Sequence, residues 1–187
     1  KLKKCVDKGE YLVYYIITKT IKEWNMNLFF PEKDAALSVM ALDDRRLIKQ
    51  IVECQTMLNV YYGKTKGYAN HPVVKYYKRY PQFVAIYGMF ACYEYEKRFG
   101  KEHKLVGFME KAHDDFKGKF EIFPTPFYAA GRKGTADCIR TTENAIDLFK
   151  EKLRNKWDND KIPPKWTNRQ CPIWYTPISY LKGDNNG

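Results

Sequence analysis

Nowhere in these 187 residues do about 18 apolar residues run together, so no membrane-spanning helix is expected. The five cysteines, Cys5, Cys54, Cys92, Cys138 and Cys171, are odd in number and widely spaced. No CxxC and no Cys/His ligand spacing occurs, which argues against a zinc site and against a disulfide framework. Neither a metal nor a cofactor is therefore expected, and a reduced, cytosolic setting fits this cysteine usage. A Walker loop is missing too: the loop 63–70, GKTKGYAN, lacks the GxxxxGK[ST] spacing. Neither a secretory signal nor an internal repeat is recognisable.

Acidic residues are in short supply. Against 33 Lys plus Arg stand 22 Asp plus Glu, for a formal net charge of +11. That excess points to a polyanionic partner, nucleic acid ahead of a membrane surface. Aromatics make up 16% of the chain, 15 of them Tyr, and Tyr interleaved with Lys suits base stacking beside phosphate contacts. Many of those tyrosines will simply be core, and an AT-rich genome enriches Lys, Tyr, Asn and Ile for no functional reason. With 44% hydrophobic residues the chain can bury one ordinary globular core.

The periodicity predicts an all-α fold: a single compact multi-helix domain over 26–182, an N-terminal extension over 1–25 and a frayed tail over 183–187. Asp34 reads as the N-cap of a helix over 35–42, with Ala36, Val39 and Met40 inward. Pro72 suits a helix first turn capped by Asn70 or His71, and Pro81 ends that helix or opens the next. Residues 82–99 form a second strong helix with Phe83, Ile86, Tyr87, Phe90 and Tyr93 or Glu94 on its core side, stopped at Gly100. The next helix presents Leu105, Phe108, Met109, Ala112 and Phe116 on one side. Residues 118–134 read as irregular, with Arg132 and Lys133 on a basic glycine-flanked tip. A last helix over 135–157 turns Ile139, Ile146, Phe149 and Leu153 inward, before a proline- and tryptophan-rich tail that packs in extended form.

The strongest candidate for chemistry is the helix over 43–63, with Asp43 as N-cap and Gly63 in the left-handed position that ends it. Leu47, Ile51, Cys54 and Leu58 recur on a core face; Arg46, Lys49, Glu53 and Thr56 recur on another. That polar face is either a solvated surface with an i,i+4 pair, or a phosphate-facing surface with Glu53 as catalytic acid or base. A second polar group, His71, Glu94, Arg98, Lys101 and His103, could close over the Glu53 face if the two main helices pack antiparallel. It would then offer His71 or His103 as an acid or base. The plain alternative is a capping histidine, a structural Glu94–Arg98 pair and a basic helix end.

Several of these residues carry a resemblance. Asn27-Leu28, Arg46-Leu47 with Glu53 seven residues after Arg46, His71, the aromatic-rich stretch 75–83 and the helix ending Lys97-Arg98-Phe99-Gly100 follow one pattern. It resembles the pyrimidine dimer DNA glycosylases of the phage endonuclease V type. The segment His71-Pro72, Glu94-Tyr95, Arg98 to Lys101 and His103-Lys104 is similar to related phage proteins. Pro164-Lys165-Trp166 and Trp174-Tyr175 match the aromatic tail of that family. The resemblance implies a monomeric enzyme of a bacterial or phage-infected cell that acts on double-stranded DNA with one base flipped out. Glu53 would assist at C1′ as a damaged or modified base, a pyrimidine by this resemblance, departs. Arg46 and His71 would complete the catalytic set. Arg45, Lys49, Lys64, Lys66, Arg98, Lys101, His103, Arg132 and Lys133 are the candidate phosphate contacts.

This chain departs from the family's pattern at two points. The family attacks C1′ with the α-amine of an N-terminal threonine, whereas here 26 residues and no such threonine precede Asn27; the family's arginine before the glutamate is Val52. Schiff-base lyase chemistry by that route is not expected. A glycosylase in which Glu53 activates water survives, as does a lysine nucleophile, if one lysine is desolvated enough to be neutral. Two rivals stand beside the glycosylase: an inactive module that sequesters nucleic acid or a nucleotide, and a metal-dependent nuclease built on Glu94 and His103.

Overall fold

A computed structural model describes residues 28–118 and 136–175, with side chains left aside over 136–145. Among the described residues there are six helices and no strands: α1 (Ala35–Ala41), α2 (Asp44–Tyr61), α3 (Pro72–Tyr77), α4 (Pro81–Phe99), α5 (Val106–Phe116) and α6 (Ala136–Asn159). The all-α reading is correct for them. The extension 1–25, the basic tip with Arg132 and Lys133, the inward reading of Ile139 and the final residues lie outside this description.

Local chemistry sets the helix ends. Asp34 accepts from Leu37 N–H to start α1, and Asp43 accepts from Arg45 and Arg46 N–H to start α2. His71 Nδ1 accepts from Val73 N–H at the head of α3, and Pro81 opens α4. Gly63 (φ 71°) and Gly100 (φ 67°) take the left-handed conformation that ends α2 and α4, where any other residue would be strained.

Helix α4 is the hub, contacting α1, α2 and α5. It runs antiparallel to α2: Arg98 near its end meets Asp44 at the start of α2, while Gly88 lies against Cys54. Three helices converge at Gly88, where an added Cβ would lie 2.5 Å from Met109 Sδ and 3.2 Å from Cys54 Cβ. Because neighbours surround α4, its buried set is wider than one stripe. Val84, Ala85, Ala91 and Cys92 join Phe83 and Tyr87, while Ile86 and Phe90 are only half-buried. Met40 is also corrected: α1 buries Ser38, Val39 and Ala41 and leaves Met40 exposed. The Ser38 hydroxyl, hydrogen-bonded to Glu32 N–H and C=O, fixes that rotation.

The last helix and the tail clamp the start of α2. Leu153 and Trp157 are buried, and Phe149 packs edge-on against Phe29 and Phe30. Trp157 Nε1–H donates to Asp43, Asp44 N–H to Lys165 C=O, and Thr167 Oγ1–H to Asp44. Trp157 also stacks on Trp174 and meets Trp166 and Tyr175, so the tail does pack on the body as far as residue 175, but it turns at 167–169 and 173–174 instead of staying extended.

Candidate active site

Glu53 lies on the flank of α2 and is only 5% exposed, so it is no part of a solvated face. Gln50, one turn earlier and fully buried, explains how it is held. Its Oε1 accepts from Phe29 N–H (2.9 Å) and from the Tyr87 hydroxyl (3.3 Å), which itself reaches Phe29 C=O. With that oxygen fixed by donors, the Gln50 amide must turn its NH₂ to Glu53 Oε2, at 2.9 Å. Glu53 Oε1 pairs with Lys49 Nζ at 3.5 Å, and Lys49 remains substantially exposed. One carboxylate oxygen is thus anchored in the core, while the other meets a lysine at the surface.

Helix α6 builds the opposite wall. Lys152 and Lys156, one turn apart, both feel Glu53 and Lys49. Burial first, then Lys156 and Lys49, push the Lys152 amine down to about 8, against the pull of Glu53. Burial and the positive charges of Lys49 and Arg46 lower Lys156 as well, opposed by Asp160 and Glu53. Lys152 Nζ lies 5.8 Å from the centroid of the Phe29 ring. Between the walls opens a cleft of about 220 Å³ lined by Phe29, Arg45, Arg46, Lys49 and Lys156. It is smaller than the pockets of roughly 300–1,000 Å³ that enclose drug-sized ligands.

Arg46 is held in the cleft by Asp43 and Asp160. Burial opposes its charge, but those two carboxylates outweigh it and raise its pKa. Arg45 donates to Asp160 at 2.6 Å and to Ile162 C=O at 2.8 Å, and stays 46% exposed. Asp160 is depressed first by Arg46, against its own burial.

The second polar group does not close over Glu53. The antiparallel packing holds, yet it sets Arg98 opposite Asp44, nine residues and about 13 Å of helix rise away from Glu53. The Arg98 side chain is wholly enclosed. It donates to Glu94 (2.8 Å), Asp44 (3.0 Å) and the carbonyls of Leu42 (2.8 Å) and Met40 (2.9 Å). Its charge is satisfied inside the fold, which removes it from the phosphate-contacting set. Arg169 gives Glu94 two further bonds of 2.9 Å. Burial raises the Glu94 carboxyl, but the two arginines win and hold it below the usual range.

His71 is buried as the α3 cap, and His103 caps Leu105 N–H beside Cys92 and the Tyr95 ring. Lys64 covers Tyr62 and Phe108 beyond the far end of α2; Lys66 and Lys101 are exposed. Among the described residues no group of three or more His, Cys, Asp or Glu is placed to hold a metal, and the Glu94 carboxylate is engaged by Arg98 and Arg169.

Gln50, Phe29, Lys152, Lys156 and Asp160 were absent from the sequence-derived set. The spacing Phe149, Lys152, Lys156 does mark one helix flank, but only its docking on α2 brings those amines to Glu53. Residues 26–106 match the family described as pyrimidine dimer DNA glycosylase, a span that includes Arg46, Glu53 and His71 and ends before α6. No curated protein and no solved structure matches the chain.

Proposed function

We propose, from a chain whose residues 26–106 match the pyrimidine dimer DNA glycosylase family, that this protein excises a damaged or modified pyrimidine from DNA, with Glu53 acting at C1′. The observation that carries this reading is the setting of Glu53: an anchored carboxylate whose second oxygen pairs with Lys49, a residue of the cleft that Arg45, Arg46 and Lys156 also line. Excision asks for cations that hold the backbone while one nucleotide is turned out, at a cost of a few kcal/mol. It also asks for a negative charge beside the sugar as C1′ gains oxocarbenium character. A phosphate entering the cleft competes with Glu53 for Lys49, and drawing that amine away uncovers the Glu53 oxygen the sugar needs.

The test is mass-spectrometric detection of free bases released from plain, ultraviolet-irradiated and base-modified duplexes. Wild type is expected to release a base from at least one damaged duplex, and Glu53→Gln to lose about 10²-fold or more of that rate while still binding DNA. Release unaffected by Glu53→Gln would remove Glu53 from the chemistry. Tight binding with no base released from any duplex would leave a sequestering module in place of an enzyme.

A further inference from the structure

The mechanism above uses the α6 amines only as positive charge, although the fold treats them unlike ordinary surface lysines. Lys156 lines the same cleft as Arg46 and Lys49, and its charge interacts with that of Glu53. Lys152 sits one turn deeper beside Phe29, an aromatic wall of that cleft. Two lysines four residues apart on a helix are neighbours, so their side chains meet in one place.

We propose that Lys156 is the amine that attacks C1′ of the flipped nucleotide, and that Lys152 is the base that takes its proton. This rests on the glycosylase reading and deepens it. An amine attacks only when neutral, and two features of the site favour that form: burial against Phe29 and α2, and mutual repulsion among the cations packed there. The groups facing the pair are Lys49, Arg46 and Glu53 on α2, and Asp160 after α6. Lys152, with its pKa near 8, is the amine of the pair that gives up its proton first, and so is the one able to accept another.

The step balances as follows. Lys152 takes a proton from the Lys156 ammonium, and the freed Nζ lone pair forms a bond to C1′. The glycosidic C1′–N bond breaks, and the base leaves with its electron pair and takes a proton from solvent. The C1′–NH₂⁺ so formed releases a proton to water; its nitrogen lone pair then expels O4′, which takes the proton held on Lys152 as the sugar ring opens, and a protonated C=N Schiff base results. Water hydrolyses it, returning Lys156 and leaving an abasic aldehyde. Glu53 offsets the positive charge on the sugar throughout.

An abasic site already presents that aldehyde, so the amine can be tested apart from base removal. Wild type mixed with abasic duplex and borohydride is expected to give a covalent protein–DNA adduct, with peptide mapping placing the reduced linkage on Lys156. Lys156→Arg keeps the charge but has no amine, and should lose at least 100-fold in trapping. Its binding to a duplex carrying a tetrahydrofuran analogue, which has no aldehyde, should stay within a few-fold and so reports an intact fold. Lys152→Met should still trap, with its pH profile moved upward by roughly one unit or more, since the proton acceptor and its neighbouring charge are both gone.

No adduct with wild type, an adduct mapped to another residue, or full trapping by Lys156→Arg would overturn the assignment. Base release without an adduct would leave the glycosylase standing with water as nucleophile. An adduct on abasic DNA with no base released from any lesion would instead retain the amine and discard the glycosylase.

Discussion

Lys152 keeps its amine in a half-buried place between Phe29 and the neighbouring lysines, and that has a consequence for stability as well as chemistry. Its folded pKa of about 8 lies below the usual 10.5. Between those values the unfolded chain binds a proton that the folded chain does not, so this residue makes stability rise with pH through that window. Below it, wild type bears the full cost of a confined charge. Lys152→Met is therefore expected to be more stable than wild type at pH 7, with its lead shrinking as pH rises through 8 to 10. Urea unfolding of both proteins across that range isolates the effect, because other titrating groups cancel in the difference. A pH-independent gap would mean that the amine is not desolvated. None of this is legible in the sequence, where nothing sets Lys152 and Lys156, beside the apolar stripe of Ile146, Phe149 and Leu153, apart from the chain's other lysines. Glu53 misleads in the same way, since its enclosure depends on Gln50 and on a helix about a hundred residues later.

Among the elements, α2, α4 and α5 depend on how closely they approach at Gly88. A methyl group there would meet the Met109 thioether and Cys54, both at the centre of the core. Met109 can yield partly and the Cys54 Cβ cannot, so Gly88→Ala is expected to destabilise by about 1–3 kcal/mol through overpacking. A lower melting temperature by calorimetry checks this, and an unchanged one would show that α5 slides at no cost. The helices themselves were largely readable, because Asp34, Asp43, His71, Pro81, Gly63 and Gly100 state where they start and stop in local chemistry. What local chemistry does not state is packing angle and rotation. Period alone turned Met40 inward, and it gave α4 one buried stripe where three neighbours enclose it. Antiparallel pairing of α2 and α4 enters the sequence reading only as a condition, and that it carries Arg98 to the opposite end from Glu53 needs the register.

At the scale of the whole molecule, the site is written in two distant parts of the chain. Arg46 and Glu53 come from α2, inside the segment 26–106, while Lys152, Lys156 and Asp160 come from its far side. The tail closes the arrangement by satisfying Asp43 and Asp44 with Trp157, Lys165 and Thr167, contacts more than 110 residues apart in sequence. Contacts of such separation form late, because the loop between them must be closed before they are gained. On the ribosome, α2 leaves the exit tunnel long before the residues that cap and wall it. A nascent chain is thus expected to carry Glu53 without an enclosed site until residue 175 has emerged. Limited proteolysis of stalled chains of increasing length should find α2 cut until that point and protected after it. Protection as soon as α4 has emerged would mean that the early helices mature alone. If the late protection is found, no half-made copy of this basic protein holds Glu53 in its finished surroundings, and synthesis itself sets the moment at which that carboxylate is enclosed.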